Sequence, residues 1–304
     1  MVEGRAPRIS AVLNTLNEER RIGTALRSVH GWVDEIIVVD MDSDDRTVEI
    51  ARSFGARVFR HDRMGYADPA RGFAVAQASG DWVLILDADE LVTPALSQRL
   101  IGIARSDEAD VVAIPRVNYL LGRPLRHTGW GPEQDRHDRF FKPSYVELRP
   151  DVHAYLRVLP AARRLELGFE PPAAIIHFNY ATIEQFLERS NRYTAFEADR
   201  LMQVRPTSTP ARALAAAARE FLRRYIRLQG FRDGWRGFYL SGLMASYRFA
   251  VHAKARERRA AVAPADIEGF YASEAERWLL SGSQVSSSGS QPNDRGESHS
   301  SEEA

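Results

Sequence analysis

Four short strand-like runs, at 9–13, 35–39, 57–59 and 82–86, divide the first part of the chain, and three of them lead straight into a polar side chain: Asn14, Asp40 and Asp87. Between the first two runs, Ile22, Ala25, Leu26 and Val29 recur at helical spacing; 45–54 reads as a second helix with Asp45 as its N-cap, and 69–78 as a third. Strands alternating with helices predict an α/β fold with a mostly parallel sheet covered by helices on both faces. In such sheets ligands bind beyond the carboxyl ends of the strands, the edge on which Asn14, Asp40 and Asp87 fall.

After Leu91 the pattern changes. A further strand is expected at 111–115, loops and short strands over 118–150, helix over 182–204, and helix again over 211–261, punctuated by Gly230 and Gly234. Residues 281–304 are Ser, Gly, Gln, Asn and Glu with almost no apolar side chain, and are expected to be disordered. The expected organisation is therefore a domain at 1–204 (halves near 8–110 and 111–204), a helical region at 205–280 and a tail at 281–304.

A chain of 304 residues, 44% hydrophobic, can bury one large core with a smaller appendage. Its formal net charge is zero, so no global field favours nucleic acid. It has no cysteine, which excludes disulfides and thiolate metal sites. No signal-peptide pattern opens it, and no apolar run reaches the roughly 18–20 residues of a membrane span, so the expected location is the cytoplasm, free or peripheral on the inner face of the membrane.

The run at 82–86 is followed at once by Asp87-Ala88-Asp89-Glu90. Carboxylates directly beyond a buried strand need compensation, because unpaired charge near a core is costly. One reading is a loop whose acids cap the next helix. The other is that two hard carboxylates one residue apart chelate Mg2+ or Mn2+, which would bridge phosphate oxygens and stabilise a leaving diphosphate.

Three blocks in order then resemble family 2 glycosyltransferases. They are Ile9-Ser10-Ala11-Val12-Leu13-Asn14-Thr15-Leu16-Asn17-Glu18-Glu19; Val33 to Asp40 with Ser43, Asp45 and Thr47; and Gly80-Asp81-Trp82 through Asp87-Ala88-Asp89-Glu90. Segments around His177, Asn191-Arg192-Tyr193, Phe221 to Ile226 and Gly230 to Phe238 are similar to the branch acting on lipopolysaccharide core and related surface sugars. Departures are Asp40-Met41-Asp42-Ser43 where the family has a glycine turn, Arg71-Gly72 for a basic residue and asparagine, and His153-Ala154 for histidine and glutamate.

The resemblance implies a GT-A fold and inverting transfer of a sugar from a nucleotide diphosphate sugar, a UDP-sugar foremost, to a hydroxyl of a glycan or lipid-linked acceptor. It implies that Asn14, Glu18, Asp40, Arg71 and Asp87 contact the donor, and that Asp89, with Asp87 and His177, holds Mg2+ or Mn2+. Asp135 or Glu133 would be the general base, with Asp138 also in reach. Each has a plainer alternative: a turn residue for Asn14, a first-turn acid for Glu18, a solvated arginine for Arg71, a structural imidazole for His177, and surface pairs with Arg136 and Arg139 for the acids.

Residues 211–261 hold twelve Lys or Arg against three acids, interleaved with Phe221, Tyr225, Trp235 and Phe238. This pattern predicts an interfacial helix on an anionic membrane, or else a solvated basic face. Two other function classes were weighed. A sugar-nucleotide-forming nucleotidyltransferase would need a glycine-rich phosphate loop where Asn14 to Glu19 stand, and a degenerate sugar-nucleotide-binding scaffold would not need Asp87 and Asp89.

Overall fold

Strand β1 (Ile9–Thr15) is buried along its whole length and is the axis of the sheet. It pairs in parallel with β2 (Glu35–Asp40), which pairs in parallel with β3 (Arg57–Arg60), and on its other side with β4 (Trp82–Ile85). The connecting helices are α1 (Ile22–Val29), α2 (Thr47–Ser53) and α3 (Asp68–Ala76). The computed structural model describes residues 5–63, 68–149, 156–204, 209–260 and 264–286. His153 and Ala154 lie outside these residues, as does the stretch 287–304 of the expected tail.

α1 buries Ile22, Ala25, Leu26 and Val29, the four residues picked out by their spacing. α2 starts at Thr47, with Arg46 in the N-cap position and no side-chain cap. Asp45 still serves this end, since its Oδ1 accepts from Thr47 N at 2.9 Å and from Thr47 Oγ1 at 2.5 Å.

The remaining elements are β5 (Glu90–Val92), α4 (Pro94–Ser106), β6 (Val111–Leu120), β7 (Arg123–Pro124), β8 (Arg136–Phe141), β9 (Val146–Leu148), β10 (Leu156–Val158), β11 (Arg164–Glu166), β12 (Ile175–Tyr180) and α5 (Ile183–Val204). The sheet runs β3-β2-β1-β4-β8-β6-β12-β5, with β7 and β11 also on β6. It is parallel from β3 to β4 but mixed beyond: β8 is antiparallel to both β4 and β6, and β5 is antiparallel to β12. β8 follows β6 through the segment that carries β7, with no crossover helix between them, and returns antiparallel. β6 extends to Leu120, five residues past the expected end of that strand, and carries the sheet into its second half.

Two apolar layers sandwich the sheet. Ala11, Leu13, Trp82 and Leu84 pack against α1 and α4, while Val12, Val39, Val83 and Phe141 pack against α3. Trp82 stacks on Phe140 at 4.4 Å between ring centres, both rings fully buried. The architecture is the mixed sheet flanked by helices expected of a GT-A domain.

After α5 come α6 (Pro210–Leu222), a π turn at Arg223–Arg227, a 3-10 turn at Gly230–Asp233 and α7 (Gly234–Arg259). The chain divides into one unit over Met1–Ala255 and another over Arg256–Ala304, so α6 and nearly all of α7 belong with the sheet and not with a separate region starting at residue 205. The second unit contains α8 (Pro264–Ser286), whose helix takes in the first residues, 281–286, of the expected tail. Among the described residues no helix is long and apolar enough to cross a membrane.

Candidate active site

The loops after β1 and β2 are tied to each other by side chains. Asn17, at φ 56°, donates its amide to Ser43 Oγ at 2.9 Å and accepts from Asp44 N at 3.0 Å, and Glu18 N donates to Thr47 Oγ1 at 2.8 Å. Asp40 closes the second loop: its carboxylate accepts from Ser43 N at 2.9 Å and from Ser43 Oγ at 2.6 Å. Asn14 shares a face of β1 with Val12 and so lies on the α3 side. It is 6% exposed, and neither its amide nitrogen nor its oxygen has a partner. A buried polar group in this state is uncommon, and an ordered water or a ligand would complete its hydrogen bonds.

The acidic turn after β4 sorts its carboxylates into different states. Asp87 is held by two arginines, with Arg71 Nη2 2.6 Å from Oδ1 and Arg139 Nη2 2.8 Å from Oδ2. Burial opposes its ionisation, but the charges of Arg139 and Arg71 prevail and keep the carboxyl well below its usual range. The fully buried Glu90 accepts from Arg116 at 3.0 Å and from the Asp87 amide at 3.0 Å, which fixes the turn. Asp89, 8% exposed, faces Arg21 and Arg189 through Oδ2, each at 3.4 Å, and His177 Nε2 through Oδ1 at 3.5 Å. Burial would raise its carboxyl; His177 and Arg189 outweigh burial and Asp87 and hold it low.

His177 is oriented from behind. Asn118 donates its amide nitrogen to the Trp130 carbonyl at 2.9 Å and to Asp135 Oδ2 at 2.6 Å, both pure acceptors, so its oxygen must be the atom 2.6 Å from His177 Nδ1. Nδ1 therefore carries a proton, and Nε2, the atom turned to Asp89, is where a second proton or a metal binds.

Asp135 reaches this network from the other side. Its carboxylate accepts from Arg116 Nε at 2.9 Å as well as from Asn118, and its other oxygen meets His137 Nε2 at 2.8 Å. Burial pushes its carboxyl up, but Arg116 and the His137 hydrogen bond drive it far below the usual range. A carboxylate so acidic takes a proton poorly at neutral pH. Glu133 sits on the surface, paired with Arg136 at 2.7 Å, and Asp138 pairs with Arg164 at 2.8 Å.

Of the residues named from sequence, Asp87, Asp89, Arg71, His177 and Asp135 thus join one charge network, and Glu18 borders it through Arg21, 3.9 Å away. Burial first, and then the charge of Asp89, push the Glu18 carboxyl up to about 7 in spite of Arg21. Arg71, expected on a diphosphate, spends its Nη2 on Asp87, and Asp87 has both oxygens on arginines. Arg21, Arg116, Asn118 and Arg189 were not singled out from sequence, and Arg139, expected as a surface partner of the acids at 133–138, is instead buried on Asp87. Only Arg139 carried a signal: an arginine directly before Phe140-Phe141, where a buried strand would place it in the sheet.

Asp89, Ala88 and Glu90 line a cleft of about 250 Å³ with Arg21, Phe178 and Gln185. Among the described residues no three His, Asp or Glu side chains gather as a complete metal site. Asp89 and His177 nevertheless bring a carboxylate oxygen and an imidazole nitrogen to 3.5 Å of each other, a pair of donor types that could hold Mn2+.

The family model described as glycosyl transferase family 2 matches residues 10–158. The chain is 28% identical over 264 residues to an uncharacterised glycosyltransferase of Rickettsia typhi, across 82% of this chain and 87% of that protein. It is 27% identical over 271 residues to the lipopolysaccharide core biosynthesis glycosyltransferase LpsC of Rhizobium meliloti, across 86% and 96%. Among solved structures, glucosyl-3-phosphoglycerate synthase of Mycobacterium tuberculosis with Mn2+, UDP and phosphoglyceric acid is matched at 31% identity and TM-score 0.31. That match covers 37% of this chain and 43% of the other, so the chain spans less than half of that structure's length. The acidic turn, the Asp40 loop and Asn14 all fall inside the matched residues: the chain is a glycosyltransferase that carries a family 2 domain over residues 10–158.

Proposed function

We propose that the enzyme transfers a sugar, with inversion, from a UDP-sugar to a hydroxyl of a glycan or lipid-linked acceptor, using Mg2+ or Mn2+ held by Asp89 and His177. The observation that carries this reading is the Asp89–His177 pair, 3.5 Å apart at the edge of the sheet, with the imidazole tautomer set by Asn118. UDP and inversion follow from the family resemblance. The acceptor class is supported by the likeness to LpsC, and with it go a role in the cell envelope and a place on the cytoplasmic face of the membrane.

In this reading the bound ion supplies charge that stabilises the departing diphosphate. The chain does the rest. Asp40, set by Ser43 and Thr15, and the unpartnered amide of Asn14 receive the nucleoside. Asp87 carries no metal; it fixes Arg71 and Arg139 beneath the turn, so that Ala88 and Asp89 are presented at a constant height. Asp135 positions Asn118, and through it His177, rather than serving as the base.

The test is calorimetric titration of UDP with Mn2+, with EDTA, and with Asp89→Asn, alongside hydrolysis of UDP-sugars. UDP binding that needs Mn2+ and is lost in Asp89→Asn is expected. Tight UDP binding that ignores both EDTA and Asp89→Asn would overturn the metal assignment.

A further inference from the structure

The turn between α6 and α7 carries an aromatic surface that the transfer chemistry does not use. Phe221 touches Tyr225 and Phe238, Tyr225 touches Phe231, and Tyr239 touches Phe238 and Trp235, all with ring centres within 6.3 Å. Trp235 is 53% exposed and Phe238 48%, with Leu222 and Ile226 exposed beside them. Contiguous exposed rings of this kind mark an interaction surface, since water alone gives them no reason to cluster outside a core.

The free charge along the same segment has one sign. Arg219, Arg223, Arg227 and Arg232 are exposed, while both acids of this segment are occupied. Glu220 is buried against Arg224 at 2.6 Å and also accepts from the exposed Arg223 at 2.9 Å, and Asp233 accepts from Arg126 N and His127 N at 3.0 and 2.9 Å. Arg224, which sequence alone would count with the others, points inward and donates to the Thr128 carbonyl at 2.7 Å.

We infer that this face docks on an anionic phospholipid surface, the rings entering the headgroup boundary and the four arginines meeting lipid phosphates. Rings with a polar edge favour that boundary, and a rim of a single charge complements a sheet of anions better than the mixed surface of a folded protein. The same turn clamps the loop that carries Trp130: Arg224 and Asp233 bind its backbone, and Thr128 N donates to the Leu228 carbonyl at 3.1 Å. Trp130 in turn receives Asn118. Docking therefore brings the acceptor side of the site to the lipid surface, which deepens the proposed function by placing the acceptor in the membrane; it rests on that reading only for this last step.

Co-sedimentation with vesicles of phosphatidylcholine alone, and of phosphatidylcholine with phosphatidylglycerol in equal parts, tests it. The wild-type chain is expected to bind the anionic vesicles, to bind the neutral ones weakly, and to release as salt rises. Each exposed arginine contributes about fivefold in affinity, so Arg219→Gln/Arg223→Gln/Arg227→Gln should lose on the order of a hundredfold. Trp235→Ser/Phe238→Ser should also lose binding. Both variants should keep the wild-type circular dichroism and the wild-type affinity for UDP with Mn2+, which separates failure of the surface from failure of the donor site. No vesicle binding by the wild type, equal binding by the folded variants, or a wild-type dimer that the Trp235→Ser/Phe238→Ser change dissolves would each overturn the inference, the last by showing that the face meets a second copy.

Discussion

His177 Nδ1 lies 2.6 Å from Asn118 Oδ1, and this contact decides which nitrogen of the imidazole faces Asp89. The asparagine is fixed in turn by the Trp130 carbonyl and by Asp135. The proposed Asp89–His177 ligand pair therefore depends on a residue outside the pair itself. Partners of this kind typically tune metal affinity by about 10–100-fold.

Asn118→Leu should accordingly weaken Mn2+ binding by about tenfold or more, measured by paramagnetic resonance titration in the presence of UDP, while the fold survives. Unchanged Mn2+ affinity would mean that Asn118 only fills space.

The two aspartates of the turn should fail in different ways. Asp87→Asn removes the charge that the buried guanidinium groups of Arg71 and Arg139 share, while Arg139 keeps Glu90 at 3.4 Å, a loss of about 3 kcal/mol by analogy with weakened buried pairs, visible in urea unfolding. Asp89→Ala should abolish transfer with a much smaller stability change, because its partners Arg21 and Arg189 reach solvent. Equal destabilisation by the two changes would contradict this division of labour.

Glu18 should make the metal-free protein sensitive to alkali. Its carboxyl rises from 4.5 to about 7 on folding, so the folded chain holds this proton more tightly than the unfolded chain. The stabilisation is complete below pH 4.5 and is lost as pH climbs through about 7. At about 1.4 kcal/mol per pH unit it is bounded near 3 kcal/mol, and partial exposure reduces it to about 2. Glu18→Gln should therefore melt above the wild type in EDTA at pH 8, with a gap that closes by pH 5. A gap independent of pH would exclude this carboxyl as its source.

Gly131→Ala tests the Trp130 loop. A Cβ at this position would meet the Arg126 carbonyl oxygen at 1.9 Å, which the backbone can relieve only by moving the loop. The variant should lose at least about 2 kcal/mol of stability, as expected for overpacking against backbone, and should bind Mn2+ more weakly because Asn118 loses the Trp130 carbonyl. Normal stability and normal Mn2+ affinity together would show that the loop has room to adjust.

What the sequence by itself determined is the part of the molecule written in near neighbours. The apolar residues of α1 lie three and four positions apart, the strand runs alternate with helices, and Asn14, Asp40 and Asp87 each stand at or just past the carboxyl end of a strand, so the sheet edge and its acids could be read directly. Tertiary structure decided what each charge does. Arg139 from β8, Arg116 from β6 and Arg189 from α5 reach the acidic turn from 26 to 100 residues away, brought there by strand register and helix packing that no local pattern encodes. That is why Asp87 and Asp89, indistinguishable as a motif, end in different surroundings, one held closely by two buried arginines and the other facing an oriented imidazole and two partly exposed arginines at 3.4 Å. It is also why Arg224 turns inward while Arg223 and Arg227 remain outside: a carboxylate and a carbonyl from distant segments offer Arg224 the hydrogen bonds that make burying its charge tolerable.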